Sequence, residues 1–219
     1  MAIYHFSVKT ISRSAGRSAV ACSAYRSGEK LIDERQGKEQ DYTRKTGVEF
    51  TKIYAPENTN PELLDRNQLW NTVEKVERRK DANLAREFEI AFPHELNAEQ
   101  RKSMLNEICQ ELVKRHGVVV DAAIHAPHTQ SGSDERNYHA HIMFTGRQID
   151  LETGDFAKKR NRDFNKENSS QTVNQWRETF ADITNKHLEK NGFDECIDHR
   201  SYKDLNNGLT PTQHEGSAV

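Results

Sequence analysis

Three stretches of this chain alternate between apolar and polar residues with a period of two, and they narrow its possible folds more than any other feature. In Arg86–Phe92 the apolar positions are Phe88, Ile90 and Phe92, with Glu87 and Glu89 between them. In Val118–His125, Val118, Val120, Ala122 and Ile124 share one face and His125 stands on the other. In Tyr138–Arg147, Ala140, Ile142 and Phe144 share one face, and His139 and His141 the other. Successive strand side chains point to opposite sides, so each stretch predicts a strand with one buried face. The Gly-, Pro-, Ser- and Asp-containing segment Ala126–Arg136 reads as the loop between the last two, which allows antiparallel pairing.

The remaining patterns supply the other elements. Ala2–Val8 and Val48–Tyr54 read as strands. Ser14–Lys30, rich in Ala and Ser and free of Pro, reads as a helix carrying Tyr25. Asn60-Pro61 opens a helix whose stripe is Leu69, Val73 and Val76. Asn97 starts another, with Leu105, Ile108 and Leu112 on one side and Gly117 after its end. Ser170–Asn191 is a long amphipathic helix striped by Val173, Trp176, Phe180 and Ile183 and stopped by Gly192. Asp33–Thr46 reads as a loop, and Asp150–Lys166 as a loop or hairpin arm. The order predicts an α+β domain: one antiparallel sheet of about five strands with helices on one face, and the histidines on the free face.

The chain has 219 residues and a net charge of −2, so its overall charge does not announce a polyanionic partner. Local charge does. In residues 1–30, Lys9, Arg13, Arg17, Arg26 and Lys30 are opposed by Glu29 alone, and in residues 158–166 Lys158, Lys159, Arg160, Arg162 and Lys166 by Asp163 alone. A charge run by itself reads as solvated surface, yet such patches also grip phosphates. No apolar run approaches the roughly 18 residues of a membrane helix. The opening MAIYHFSVKT lacks the apolar region of a signal peptide. Cys22, Cys109 and Cys196 are odd in number and far apart, which suits free thiols in the reducing cytoplasm.

His139-Ala140-His141 on a strand places two imidazoles on one face, about 6.5–7 Å apart at the backbone. His125, at the end of a neighbouring strand, comes alongside them by pairing. Three imidazoles with open positions form a catalytic metal pattern, because structural sites are usually closed by four protein ligands. Glu87 or Glu89 would accept the second N–H of one histidine; the alternation does not choose between them. A metal with open positions suits either water activation or attack by a side chain on a bound phosphate. Tyr25 bears on that choice. It lies among small residues in SAVACSAYRS, flanked by Arg17 and Arg26. A phenol of pKa about 10 is a weak nucleophile unless a cation favours its phenolate. Taken alone, Tyr25 reads as a packing residue like Tyr4, Tyr42, Tyr54, Tyr138 and Tyr202.

Taken together, MAIYHFSVKTISRSAGRSAVACSAY, LAREFEIAFPHEL, IHAPHTQSGSDERNYHAHIMF, WRETFADITNKHLEKNGFDECIDHRSY and LTPTQHEG resemble the relaxase (nickase) domain of the MobA/MobL family over nearly the whole chain. The resemblance implies the HUH-endonuclease palm, an antiparallel sheet flanked by helices, in residues 1–200, with 201–219 a tail that starts a linker to a further C-terminal region. It implies Tyr25 as catalytic tyrosine, Glu87 rather than Glu89 as the active-site acid, and His125, His139 and His141 as ligands of a divalent metal, Mg²⁺ or Mn²⁺, with Zn²⁺ also suited to imidazoles. The implied substrate is single-stranded DNA at a plasmid origin of transfer, nicked and rejoined through a 5′-phosphotyrosyl link. The implied setting is a cytoplasmic bacterial monomer with relaxosome accessory and coupling proteins as partners and no membrane insertion. Arg13, Arg17, Arg26, Lys158, Lys159 and Arg160 become candidates for gripping DNA; of the two tryptophans that could stack bases, Trp70 and Trp176, the second lies on a core stripe and reads as structural. The alternatives are a rolling-circle replication initiator of the same superfamily, a non-catalytic DNA-binding module held by a structural ion, and a water-activating metallohydrolase. In rolling-circle initiators the histidine pair usually precedes the tyrosine, and here the tyrosine comes first. The loop Pro127–Asn137 is longer than the family minimum.

Overall fold

The computed structural model describes residues 4–128 and 134–200. The three alternating stretches form the centre of one antiparallel sheet. They are β5 (Asn83–Ala91), β6 (Val118–His125) and β7 (His139–Ile149), flanked by β1 (Phe6–Ser12) and β4 (Val48–Tyr54) in the spatial order β1-β5-β7-β6-β4. These are the five expected strands. A sixth, β8 (Phe156–Arg160), adds to the far end of β7 through Arg147↔Arg160 and Ile149↔Phe156. A separate hairpin joins β2 (Lys30–Asp33) to β3 (Lys38–Asp41).

The register follows the alternation. Phe88 lies opposite Ile142, Glu89 opposite His141, and His125 opposite His139. One face of the sheet therefore collects Phe6, Phe88, Ile90, Val120, Ile124, Ile142 and Phe144. These pack against α3 (Ala98–His116) and α4 (Ser169–Lys190) through residues such as Leu105, Ile108, Trp176 and Phe180. Burying such side chains contributes about 1.5–3 kcal/mol each before the entropy of ordering them is set against it. α3 begins as its sequence predicts: Asn97 and Gln100 cap each other reciprocally, and Gly117 (φ 64°) ends it in the left-handed region.

The second face is not free, which corrects the expected one-sided packing. α1 (Ala19–Ser27) and α2 (Arg66–Val76) lie on it, burying Val20, Ala24, Leu69, Trp70 and Val73 against Ile11, Ala85, Val119 and Met143. The apolar residues among the polar positions of β6 and β7 are the reason. α1 is shorter than Ser14–Lys30. A 3₁₀ turn at Arg13–Ala15 runs into Gly16, and the helix starts where the Ser18 hydroxyl accepts the Ala21 N–H at 3.2 Å. A 3₁₀ turn, Pro61–Leu64, likewise precedes α2, whose own cap is Asp65. The β2–β3 hairpin replaces part of the expected loop; KEQD contains no apolar residue, so its period of two leaves no hydropathy signal. β1 runs further than Val8 because Ile11 is fully buried in the second core.

Candidate metal centre

Strand pairing builds the histidine cluster. His125 and His139 are register partners, and His141 stands two residues along β7 on the same side. Ring centroids are 5.3 Å apart for His125–His139, 4.9 Å for His125–His141 and 5.3 Å for His139–His141. One ring nitrogen from each lies within 4.8 Å of the others. The second nitrogen of each ring meets an oxygen: His141 Nδ1 the Glu87 Oε1 at 2.7 Å, His139 Nδ1 the Asn137 carbonyl at 3.1 Å, and His125 Nε2 the Arg26 carbonyl at 2.6 Å. A carbonyl or ionised carboxylate only accepts, so each imidazole donates its N–H outward and keeps a lone pair on the other nitrogen. Burial pushes the His125 pKa down to about 3, against the pull of the Arg26 carbonyl, and it lowers His139 as well. Neutral imidazoles, each with its N–H occupied outward, fit a divalent cation and leave coordination positions open.

Glu87 is the electrical centre of this arrangement. It is 0% exposed, yet its carboxylate takes Arg26 Nε at 2.5 Å and Arg26 Nη2 at 2.7 Å as well as His141. Burial alone would raise its pKa; the hydrogen bonds from His141 and Arg26 prevail and hold it at about 2. Glu89 lies 3.7 Å from His141 Nδ1 and pairs with Lys9 at 2.6 Å. The hydrogen bond to His141 thus comes from Glu87. Arg26 joins α1 to β5 by its guanidinium and to His125 by its carbonyl, so a residue read as a DNA grip serves internal contacts.

Tyr25 precedes Arg26 in the last turn of α1, and its side chain is 48% exposed. Its ring stands edge-on to Tyr42 at 5.3 Å. The Lys45 ammonium sits 3.7 Å over the same ring and donates to the Tyr25 carbonyl at 2.8 Å. Burial first, then Arg26, pushes the Lys45 pKa down to about 8. Sequence reasoning missed Lys45, because a single lysine in a charged, aperiodic segment carries no signal. A cleft of about 460 Å³ opens beside the cluster between His5, Glu89, His94, Arg136, His139 and His141.

Other candidates are placed elsewhere. The Arg13 side chain is 8% exposed and is consumed by Glu74 at 2.5 Å and by the carbonyls of Glu77 and Arg79, so it holds α2 instead of a phosphate. Arg17 is exposed just before α1. Lys158, Lys159 and Arg160 lie on β8, against the end of β7 remote from His139; eight residues at about 3.4 Å each put that end about 27 Å away. Trp70 and Trp176 are both buried, donating to Asp121 and to His116 at 2.8 Å each, which removes them as base-stacking surfaces. The cysteines are all free thiols. Part of the Pro127–Asn137 loop, Tyr202 and the LTPTQHEG segment lie outside the described residues.

Known proteins are similar to this chain in sequence and in shape. Residues 17–219 match the model of the MobA/MobL family. The mobilization protein MobL of Acidithiobacillus ferridurans is 36% identical over 242 residues, a match that takes in all of this chain and 63% of that protein. The conjugal transfer protein TraA of Rhizobium radiobacter is 32% identical, with 99% of this chain and 21% of that protein covered. This chain therefore spans less than two thirds of the length of these relatives. A solved structure described as "Molecular Basis of Vancomycin Resistance Transfer in Staphylococcus aureus" superposes with a TM-score of 0.81 at 33% identity, covering 92% of this chain and 100% of that one.

Proposed function

The chain belongs to the MobA/MobL family, and on that premise we propose that it is a DNA relaxase, which nicks and rejoins one strand at a plasmid origin of transfer. The observation that carries this reading is the last turn of α1: Tyr25 sits one residue from Arg26, whose carbonyl and guanidinium reach His125 and Glu87. A nucleophile candidate is thereby tied through one piece of backbone to His125 directly and to His141 by way of Glu87.

In this reading His125, His139 and His141 would hold a divalent cation, Mg²⁺ or Mn²⁺ by family resemblance and Zn²⁺ by ligand type, which supplies Lewis-acid polarisation of a phosphate oxygen. The Tyr25 phenol loses its proton and its oxygen attacks the scissile phosphorus. The bond to the 3′-oxygen breaks, that oxygen takes up a proton, and a 5′-phosphotyrosyl ester remains. The ester conserves the bond, so a 3′-hydroxyl reverses the step without ATP. Lys45, above the Tyr25 ring, favours the phenolate and the negative charge of the attacked phosphate. Glu87 keeps the His141 N–H turned outward, a positioning role. The exposure of Tyr25 suits a polymeric substrate.

Residues 1–200 would form the nicking domain, working in the cytoplasm as a monomer with relaxosome and coupling proteins. Among the described residues no helix is long and apolar enough to cross a membrane. The test is incubation with Mn²⁺ and end-labelled single strands tiled across the candidate transfer origin. A covalent protein–DNA adduct that survives denaturation and is lost in Tyr25→Phe is expected. Cleavage without an adduct would make the protein a hydrolase, and binding without cleavage a DNA-binding module; either result overturns the proposal.

A further inference from the structure

Arg86 occupies an unusual position among the half-buried and buried guanidiniums. Arg13, Arg26, Arg66, Arg101 and Arg147 are each paired with a carboxylate: Glu74, Glu87, Asp121, Glu49 and Glu77. Arg86, on β5 opposite Phe144, has none among the described residues. Its guanidinium lies 5.6 Å from the Phe164 ring centroid, and it donates to the Thr10 hydroxyl at 3.2 Å and to the Phe164 carbonyl, both neutral acceptors. Burying a cation without a counter-charge costs stability. Burial and then the neighbouring Arg160 push its pKa down.

The surroundings point the same way. Two adjoining hollows of about 310 and 440 Å³ meet at Asn83, Arg86, Phe164, Asn165 and Lys166. The larger set of walls adds Arg160 and Arg162, and among the described residues no carboxylate lines either hollow. Arg160 lies across Gly146, where a Cβ would collide with its guanidinium, and it shares the single carboxylate of Glu77 with Arg147. Two cations on one carboxylate leave a net positive charge. Lys166 is exposed with no ion pair among the described residues, and Arg162 has only Glu167 at 3.5 Å, both ends exposed. The groove lies on the α3–α4 face of the sheet, whereas the histidines point to the α1 face. Thr145, in its wall, is four residues along β7 from His141, about 14 Å.

We propose that this groove is a second DNA-binding site, which takes backbone phosphates of the strand outside the cut site on Arg86, Arg160, Arg162 and Lys166. The proposal rests on the reading of the protein as a DNA relaxase, and it assigns the groove to anchoring and not to cleavage. Guanidiniums presenting forked donors suit phosphate oxygens, and contacts of this kind set affinity and its salt dependence without reading sequence.

The test measures binding of the full chain to a fluorescent 40-nucleotide oligo-dT by anisotropy across a KCl series, with no cleavage required. Removing both exposed cations, Arg162→Ala with Lys166→Ala, should make the slope of log K against log salt shallower by about 1.4, at roughly 0.7 per single-strand phosphate contact. The control is Lys186→Ala with Lys190→Ala at the other end of α4, about 30 Å along the helix, which should leave the slope unchanged. Arg86→Met should weaken DNA binding while leaving the urea unfolding midpoint unchanged or raised, because an unpaired charge leaves the interior. Equal slopes for the groove variant, the control and the parent chain would overturn the proposal, as would a large loss of stability in Arg86→Met. Absence of a Tyr25 adduct would instead count against the nicking reading, since the salt slope is measured independently of it.

Discussion

Glu87→Gln alters one charge and almost no volume, so its effects isolate the electrostatics at the centre of the cluster. The carboxyl falls from an ordinary 4.5 to about 2 in the fold. At about 1.4 kcal/mol per unit, that difference amounts to on the order of 3 kcal/mol of stability at neutral pH. The sign follows from the direction: a depressed carboxyl contributes fully above about pH 4.5 and loses its contribution as pH falls from there towards 2. The variant should therefore be less stable than the parent at pH 7, and the gap should close on acidification through that window. A second effect concerns the metal. Glutamine offers one acceptor and one donor to two donors, Arg26 and His141. If its oxygen turns to Arg26, its amide faces His141 Nδ1 and drives the imidazole proton to Nε2, removing the lone pair from the cluster. If it turns the other way, the amide confronts the Arg26 guanidinium. Loss of such an orienting carboxylate typically costs about 10- to 100-fold in metal affinity. Urea unfolding at pH 7 and pH 3, with calorimetric titration of Mn²⁺, reads both quantities. Parent-like stability at pH 7, or Mn²⁺ affinity within about twofold of the parent, would refute the role given to this carboxylate.

Three further outcomes follow from the same contacts. His139→Ala and His141→Ala should each weaken Mn²⁺ binding and nicking while retaining the fold, since both rings are partly exposed; unchanged cleavage by the His141 variant would remove it from the site. Lys45→Met should slow adduct formation by about 100-fold with Mn²⁺ affinity unaltered. In the parent chain the rate should fall as pH rises through about 8, where the ammonium deprotonates, and that limb should be absent from the variant's pH–rate profile. Asp121→Asn should cost about 3 kcal/mol in chemical unfolding, because Arg66 loses a buried counter-charge and Ser23 and Trp70 lose a strong acceptor; a loss below about 1 kcal/mol would show that Asp121 does not hold α1 and α2 in place.

The sheet was legible because alternation encodes strand faces directly. Phe88, Ile142 and Ile124 meet in one core, and Glu87, His141 and His125 on the other side, as the period of two requires. The histidine cluster was legible for the same reason, since His-x-His on a strand needs only its neighbour's register. What covers the second face was not. Val119 and Met143 stand singly among polar residues, and no local pattern says that α1 will cover them. The β2–β3 hairpin escaped because its outer strand is entirely polar.

The docking of α1 shows why the rest could not be read from sequence alone. Four polar contacts hold this short helix: Ser18 to Asp33 at 2.5 Å, the Ala19 N–H to Glu74 at 3.0 Å, Ser23 to Asp121 at 2.7 Å, and Arg26 to Glu87. Their partners come from four different elements, 15 to 98 residues away in the chain. Arg13 beside Glu74 reinforces the same seam. In a sequence these arginines look like any phosphate grip, because charge type is visible and the partner is not. The fold separates the two uses. A buried guanidinium with its own carboxylate is occupied, and its removal should first cost stability. One facing only neutral acceptors has its charge available to a ligand, and its removal should first cost binding. Arg13 and Arg26 fall in the former group and Arg86 in the latter, so unfolding and DNA-binding measurements on the same set of arginine variants should rank them in opposite orders.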